Sequence, residues 1–304
     1  MSAPMIADPV KIAKVETPFQ RLVSEFMEDR LAVLGLVVLV IILLAALFAP
    51  WISPQDPYDL SKLDIMDSRL KPGSKSMDGM TFWLGTDGQG RDMLSGILYG
   101  LRTSLAVGVF SGLCAMLVGM IAGLAAAYLG GRVETLIMRL VDLQLSFPTI
   151  LIALILLAVL GQGVDKIILA LIIVQWAYYA RTVRGTALVE RRREYVEAAL
   201  CLGLSRARII FGHILPNCLP PMIVIGTVQV ASAIALEATL SFLGIGLPIT
   251  EPSLGLLIAN GFEYLLSGRY WISFFPGVAL LITIISINLV GDQLRDILNP
   301  RLRK

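Results

Sequence analysis

Residues 185–217 hold the densest run of ionisable side chains in this sequence: Glu190, Arg191, Arg192, Arg193, Glu194, Glu197, Arg206, Arg208 and the single histidine, His213. Groups of these types pair with charged or polar surfaces, and they form no nucleophile–base couple. His213 has no partner at ligand spacing. Cys114, Cys201 and Cys218 are scattered with no Cys-x-x-Cys, which argues against a zinc site and against a disulfide framework. No Gly-x-x-x-x-Gly-Lys-Ser/Thr occurs, so the chain offers no phosphate-cradling loop, and the Gly85, Gly88, Gly90 cluster is no dinucleotide fingerprint. The sequence therefore predicts no catalytic residues, no metal site and no cofactor bound by this chain.

A second polar set lies inside an apolar stretch: Gln229, Ser232, Glu237 and Ser241, close to helical spacing. Ionisable groups in such a stretch are costly and point to function or to pairing. Two readings stand side by side: these residues line a pathway, with Gln229, Ser232 and Glu237 as candidates, or they hydrogen-bond between helices. Arg139, Asp142, Asn288 and Asp292 sit near the ends of apolar runs, where side chains reach water or snorkel.

The elements that must position these groups are membrane spans. Apolar residues make up 56% and charged residues 16%, against roughly 25% charged in soluble domains. Residues 31–49 contain no polar side chain, close to the roughly 20 apolar residues a spanning helix needs. The run is too long for a signal-peptide core, and Pro50 follows it, so an uncleaved first span is expected. Five more spans are predicted at 104–129, 135–160, 165–184, 218–243 and 272–294. Within lipid the backbone must satisfy itself, which makes them helices. Pro148 should bend the third. Ala115, Gly119, Gly123 and Ala127, with Gly108 and Gly112, give the second span a face for close helix packing.

Orientation follows the basic residues. With an intracellular amino terminus, segments 1–30, 130–139, 181–213 and 295–304 hold 17 of the 25 Lys and Arg. Both termini and the 185–217 loop are thus expected in the cytoplasm. The net charge of +2 is distributed by topology and is not gathered for nucleic acid. Residues 54–80 read as a loop with turns at Pro54, Pro57 and Pro72-Gly73, and 85–103 as a short interfacial helix. In the charged loop, a helix is expected over 187–202, ended by Gly203, with Ser205 capping a second over Arg206–Gly212 and Pro216 closing the segment.

The Glu197-Ala198-Ala199, Gly203 and Ile214-Leu215-Pro216 spacing resembles the EAA loop of bacterial ABC-importer permeases. Gly85-Thr86-Asp87-x2-Gly90-Arg91-Asp92-x2-Ser95, Asp142-x3-Ser146-Phe147-Pro148, Leu240-Ser241-Phe242-Leu243-Gly244 and Gly291-Asp292-x-Leu294-Arg295-Asp296 narrow it. Over roughly 19–303 the chain is similar to the second permease subunit of the dipeptide/oligopeptide/nickel class. Two departures from that pattern are Gly96, where an arginine is usual, and Leu254, where a tryptophan is usual. Both could alter contact with a solute-binding protein.

The resemblance implies an all-α integral membrane protein of six transmembrane helices with a MetI-like ABC-permease core. It would comprise a cytoplasmic tail (1–30), a first span with an extracytoplasmic loop (31–103), and a five-helix core (104–304) carrying the coupling loop at about 185–217. Implied partners are a homologous second permease, two ABC ATPases that bind ATP and Mg, an extracytoplasmic solute-binding protein and membrane lipid, with no nucleic acid. The implied place is the bacterial inner membrane, and the implied function is ATP-driven import of di- or oligopeptides. Glu197, Ala198, Ala199, Gly203, Ile214, Leu215 and Pro216 would couple to the ATPases. The alternative is an ATPase-independent secondary transporter or channel, which would show inverted repeats; no repeat is visible in the sequence.

Overall fold

A computed structural model describes residues 17–57, 59, 63–76, 79–248 and 250–298. Twelve helices are described: α1 (Pro18–Glu28), α2 (Arg30–Leu47), α3 (Ala49–Ile52), α4 (Met93–Leu129), α5 (Gly131–Leu145), α6 (Thr149–Leu160), α7 (Val164–Glu190), α8 (Glu194–Cys201), α9 (Arg206–Ile209), α10 (Leu215–Phe242), α11 (Leu254–Phe262) and α12 (Trp271–Leu298). Five helical stretches are long and apolar enough to cross a membrane, or up to six when the bent pair α5–α6 is one span. Residues 1–16 of the tail and the whole 299–304 end lie outside the described residues.

The bundle is organised around α4. A methyl built on Gly119 would stand 2.5 Å from the Trp176 carbonyl oxygen, and one on Gly123 would stand 2.6 Å from the Ala180 oxygen. On another face, one on Gly108 would stand 2.5 Å from Ile234 Cγ1. The small residues thus bring α4 into backbone contact with α7 and against α10, the close approach that replaces hydrophobic driving force in lipid. Outside this centre, α2 lies on α12, where a methyl on Gly35 would meet Leu289 Cβ at 2.8 Å. The remaining face of α2, including Leu34, Val37 and Ile41, is exposed, as a lipid-facing surface should be.

Several expected boundaries shift. No separate interfacial helix precedes the second span: 93–103 and 104–129 form one helix, α4, capped by Asp92, whose Oδ2 accepts from Ser95 N at 2.8 Å and from Ser95 Oγ at 2.6 Å. The third span bends by 93° at the Ser146-Phe147-Pro148 break, because proline lacks the donor that would continue the ladder and biases the residue before it away from helix. The 54–80 region is more ordered than expected. It contains a short 3-10 turn (Ile65–Asp67) and a hairpin of β1 (Ser74–Lys75) and β2 (Thr81–Phe82), with Ser74 opposite Phe82. Phe82 is fully buried, and the Trp271 indole donates to the Thr86 carbonyl at 3.2 Å, pinning this loop to the start of α12.

Candidate functional site

The 185–217 segment lies at the opposite end of the bundle from the hairpin. The expected continuous helix over 187–202 is two helices: α7 runs to Glu190, the chain turns through Arg191–Arg193, and α8 begins at Glu194. Arg191 holds this turn to the bundle. Its Nη1 donates to the Ala127 carbonyl at 3.1 Å and its guanidinium lies 5.5 Å from the centre of the Tyr128 ring. Gly203 has φ +72, a conformation that costs other residues roughly 1–2 kcal/mol. Leu204 N donates to the Ala199 carbonyl at 3.2 Å and Gly203 N to the Leu200 carbonyl at 3.0 Å, so α8 ends in a glycine-dependent left-handed cap. Ser205 Oγ then accepts from Arg208 N at 3.4 Å at the head of α9. The second helix does not close at Pro216: α9 passes through a π turn (Ile210–Ile214) into α10, and Pro216 sits directly after that turn.

The faces of this hairpin differ sharply. Val196, Ala199, Ile209 and Ile214 are buried with Ala127, Ala187 and Cys218. Glu197, Ala198 and Pro216 are exposed, and Leu215 is half-buried. The expected coupling residues therefore divide. Ala199 and Ile214 fasten the hairpin to the bundle, while Glu197, Ala198 and the Gly203 turn face outward. The structure adds two residues that the sequence reading passed over, Leu200 and Leu202, with Leu202 80% exposed at the tip. An exposed leucine beside an invited glycine turn is a signal the spacing alone could have raised.

Tyr195 joins α8 to its neighbours. Its hydroxyl donates to Glu190 Oε2 at 2.6 Å and accepts from Asn217 Nδ2 at 3.0 Å. Desolvation, reinforced by the hydrogen bond to Glu190, pushes the phenol up to about 12, so it remains a donor at neutral pH.

Three cavities follow one another along α10. The largest, about 980 Å³, opens beside the charged hairpin and is lined by Glu190, Arg181, Asn217, Pro221, Asp292 and Arg295 among others. The next, about 320 Å³, is lined by Gln175, Tyr178, Gln229, Ser232 and Thr239; it shares Tyr178 and Gln229 with the first. A third, about 600 Å³, lies at the hairpin end and includes Ser241, Phe242, Gln162, Asn260 and Glu263. Gln229 and Ser232 thus stand at cavity walls. Glu237 lines none of the three and is fully buried. Its Oε2 accepts from Ser104 Oγ and its Oε1 from Ser241 Oγ, each at 2.8 Å, and Ser253 at the head of α11 is a further hydrogen-bond partner. The expected single polar face is in fact two. Ser232 and Glu237 are five residues apart, about 140° around the helix, so one looks into a cavity and the other into the α4–α11 side.

The polar groups near span ends are paired or exposed. Asp142 pairs with Arg181, Glu134 with Arg184, and Asn288 is exposed. The two departures from the family pattern do not lie on an outer surface: Leu254 is fully buried and Gly96 is buried, with Leu257 3.5 Å from where its methyl would be. They repack the α4–α11 contact, and a solute-binding protein would not reach them.

Comparison with known proteins bears on this arrangement. Residues 83–304 match the profile of the binding-protein-dependent transport system inner membrane component, and residues 17–72 match that of the N-terminal TM domain of oligopeptide transport permease C. A Brucella abortus protein with a provisional peptide transport system permease name is 42% identical over 95% of this chain and 94% of its own. The di/tripeptide transport system permease protein DppC of Pseudomonas aeruginosa is 36% identical, over 94% of this chain and 93% of its own. The oligopeptide transport system permease protein OppC of Bacillus subtilis is 38% identical, over 92% and 88%. Among solved structures, a chain of the inward-facing MetNI methionine ABC transporter matches with a TM-score of 0.55 at 20% identity, covering 67% of this chain and 97% of that one; that likeness speaks for the fold. With the family model matching 83–304 and near-full-length relatives above 30% identity, the chain belongs to the family of binding-protein-dependent transport system inner membrane components, the membrane permeases of ABC transporters.

Proposed function

We propose that this chain is one of two permease subunits of an ATP-driven importer of di- or oligopeptides, and that α8 and α9 dock on an ATPase subunit. The observation that carries this is the two-faced hairpin: Val196, Ala199, Ile209 and Ile214 are buried behind it, while Leu200, Leu202 and Glu197 stand free in front. Exposed apolar side chains grouped at one place mark an interaction surface, and Leu200 and Leu202 form such a group beside the Gly203 turn. The cavities along α10 form this chain's half of the pathway, completed by a second permease. Both termini and the charged hairpin face the cytoplasm, in line with the distribution of basic residues. The loop that carries β1 and β2 then faces outward, where an extracytoplasmic binding protein delivers solute. ATP and Mg are held by the partner ATPases, and this chain supplies no catalytic group.

The test is uptake of a radiolabelled dipeptide, alanyl-alanine, and of the tripeptide trialanine by host cells with and without this gene. Loss of uptake on deletion, restored by the wild-type gene and not by a Leu202→Asp variant of equal abundance, is the expected result. Unchanged uptake of both probes on deletion contradicts the peptide assignment.

A further inference from the structure

Tyr195 connects the exposed hairpin to the wall of the largest cavity. Its ring belongs to α8, yet both hydrogen-bond partners of its hydroxyl line that cavity: Glu190, the last residue of α7, and Asn217, in the first turn of α10. The bridge is braced on each side. Asn217 Nδ2 also donates to the His213 carbonyl at 2.7 Å, the Tyr195 ring stacks on the His213 ring with centroids 6.5 Å apart, and Arg193 Nε lies 3.7 Å from Glu190 Oε1. No continuous helix joins α7 to α8, because the chain turns through Arg191–Arg193. The other attachments of α8 are apolar, through Val196 and Ala199. Apolar contact is non-directional and permits sliding, whereas a hydrogen bond to an ionised carboxylate fixes distance and direction.

We propose that Tyr195 is the positioning residue that carries a displacement of α8 to the cavity-facing ends of α7 and α10. The inference rests on the reading that the hairpin docks on an ATPase. It assigns the transmission of motion to one hydroxyl held by two residues on different helices, so that a pull on α8 moves both cavity walls together.

The experiment uses the complex of this chain with its second permease and ATPases in lipid vesicles. Cys114, Cys201 and Cys218 are replaced, and Ser232→Cys is introduced in the middle cavity as a reporter. A membrane-impermeant thiol reagent is applied at the face bearing the ATPases, with and without ATP plus vanadate. In the parent protein, nucleotide trapping is expected to change the labelling rate by about tenfold. Tyr195→Phe keeps the ring and its stacking on His213 but removes the hydroxyl. It is expected to leave the ATPases bound and hydrolysing while the labelling change falls below about twofold. Glu190→Gln keeps an oxygen acceptor for the hydroxyl and is expected to retain most of the change. A full nucleotide-dependent change in Tyr195→Phe overturns the inference. So does loss of the ATPases from that variant, which would make Tyr195 a structural support. If the parent protein itself purifies without ATPases, the docking reading fails, and this inference fails with it.

Discussion

Ser104 and Glu237, 133 residues apart in the chain, meet at 2.8 Å in the interior of the bundle. The carboxylate is closed off on its other side by Ser241 Oγ at 2.8 Å and is also held by Ser253. One side chain therefore ties α4, α10 and the head of α11 together. Ser253 also caps α11 by accepting from Leu256 N at 3.2 Å, so the tie fixes where α11 begins. A carboxyl buried in this way persists only where its oxygens find hydrogen-bond partners.

Removing the oxygens of Glu237 should cost stability first and transport only as a consequence. Glu237→Leu leaves Ser104 and Ser241 unpaired, at about 1–3 kcal/mol each, and should lower the melting temperature of the purified complex. Glu237→Gln keeps one acceptor and the side-chain shape, and should assemble and transport within about twofold of the parent. Normal melting of Glu237→Gln together with abolished uptake would assign the residue to the pathway instead.

The two faces of α10 should be separable by chemistry. Ser232 lines the middle cavity and is exposed, whereas Ser241, although it borders the third cavity, is itself fully buried against Glu237. Cysteines at the two positions should differ in reaction with a water-soluble thiol reagent by at least about tenfold, with Ser232→Cys the faster, since thiol reaction requires access. Equal rates would mean that α10 presents a different face to the pathway.

Much of this was legible in the sequence because it is local. The first and last spans follow from apolar runs, Gly203 from the need for a left-handed residue, and Ser205 from its place before a short helix. The bend at Pro148 was legible in position, though not in its angle of 93°. What was missed depends on neighbours. A separate interfacial helix over 85–103 was expected before the second span, but Gly96 and Gly100 are packed under α11, and one helix runs through. The break at Arg191–Arg193 contains no glycine or proline; it is held by Arg191 reaching the Ala127 carbonyl across the fold. The sidedness of Glu237 escaped because a polar set at nearly helical spacing hides a five-residue step.

Close helix packing should be intolerant of a single methyl. Gly119→Ala would place its methyl 2.5 Å from both the Trp176 oxygen and Tyr179 Cβ. The α7 backbone there, the Trp176 oxygen and Ala180 N at 2.9 Å, cannot yield cheaply, so a loss of about 1–3 kcal/mol is expected, read as lower thermal stability in detergent. Gly277→Ala, inside α12, is the control: nothing lies within 4 Å of the added methyl, and its stability should hold or rise slightly, by up to about 1 kcal/mol.

The cap of α4 should give a defined pH dependence. Burial raises the Asp92 pKa above its ordinary 3.8, against the lowering effect of its hydrogen bonds to Ser95 and Leu94. A carboxyl whose folded value is raised favours the fold when protonated. That contribution is complete below the unfolded value and is lost as pH rises through the folded one. Stability of the parent relative to Asp92→Asn should therefore rise as pH is lowered from about 8 to about 4, measured as the difference in melting temperature. A difference that moves the other way would show that the charged form is the one the site holds.

The exposed tip of the α8–α9 hairpin, proposed above as the surface on which an ATPase docks, can be tested in the native host. The direct measurement is affinity purification of the tagged chain from its native host, wild type beside Leu202→Asp, with the co-purifying proteins identified by mass. The account predicts that two P-loop ATPases and a second permease accompany the wild type, and that the ATPases alone drop out of the variant while the permease remains. Retention of the ATPases at wild-type level by Leu202→Asp, or a wild-type chain that purifies stably with no ATPase, would contradict it.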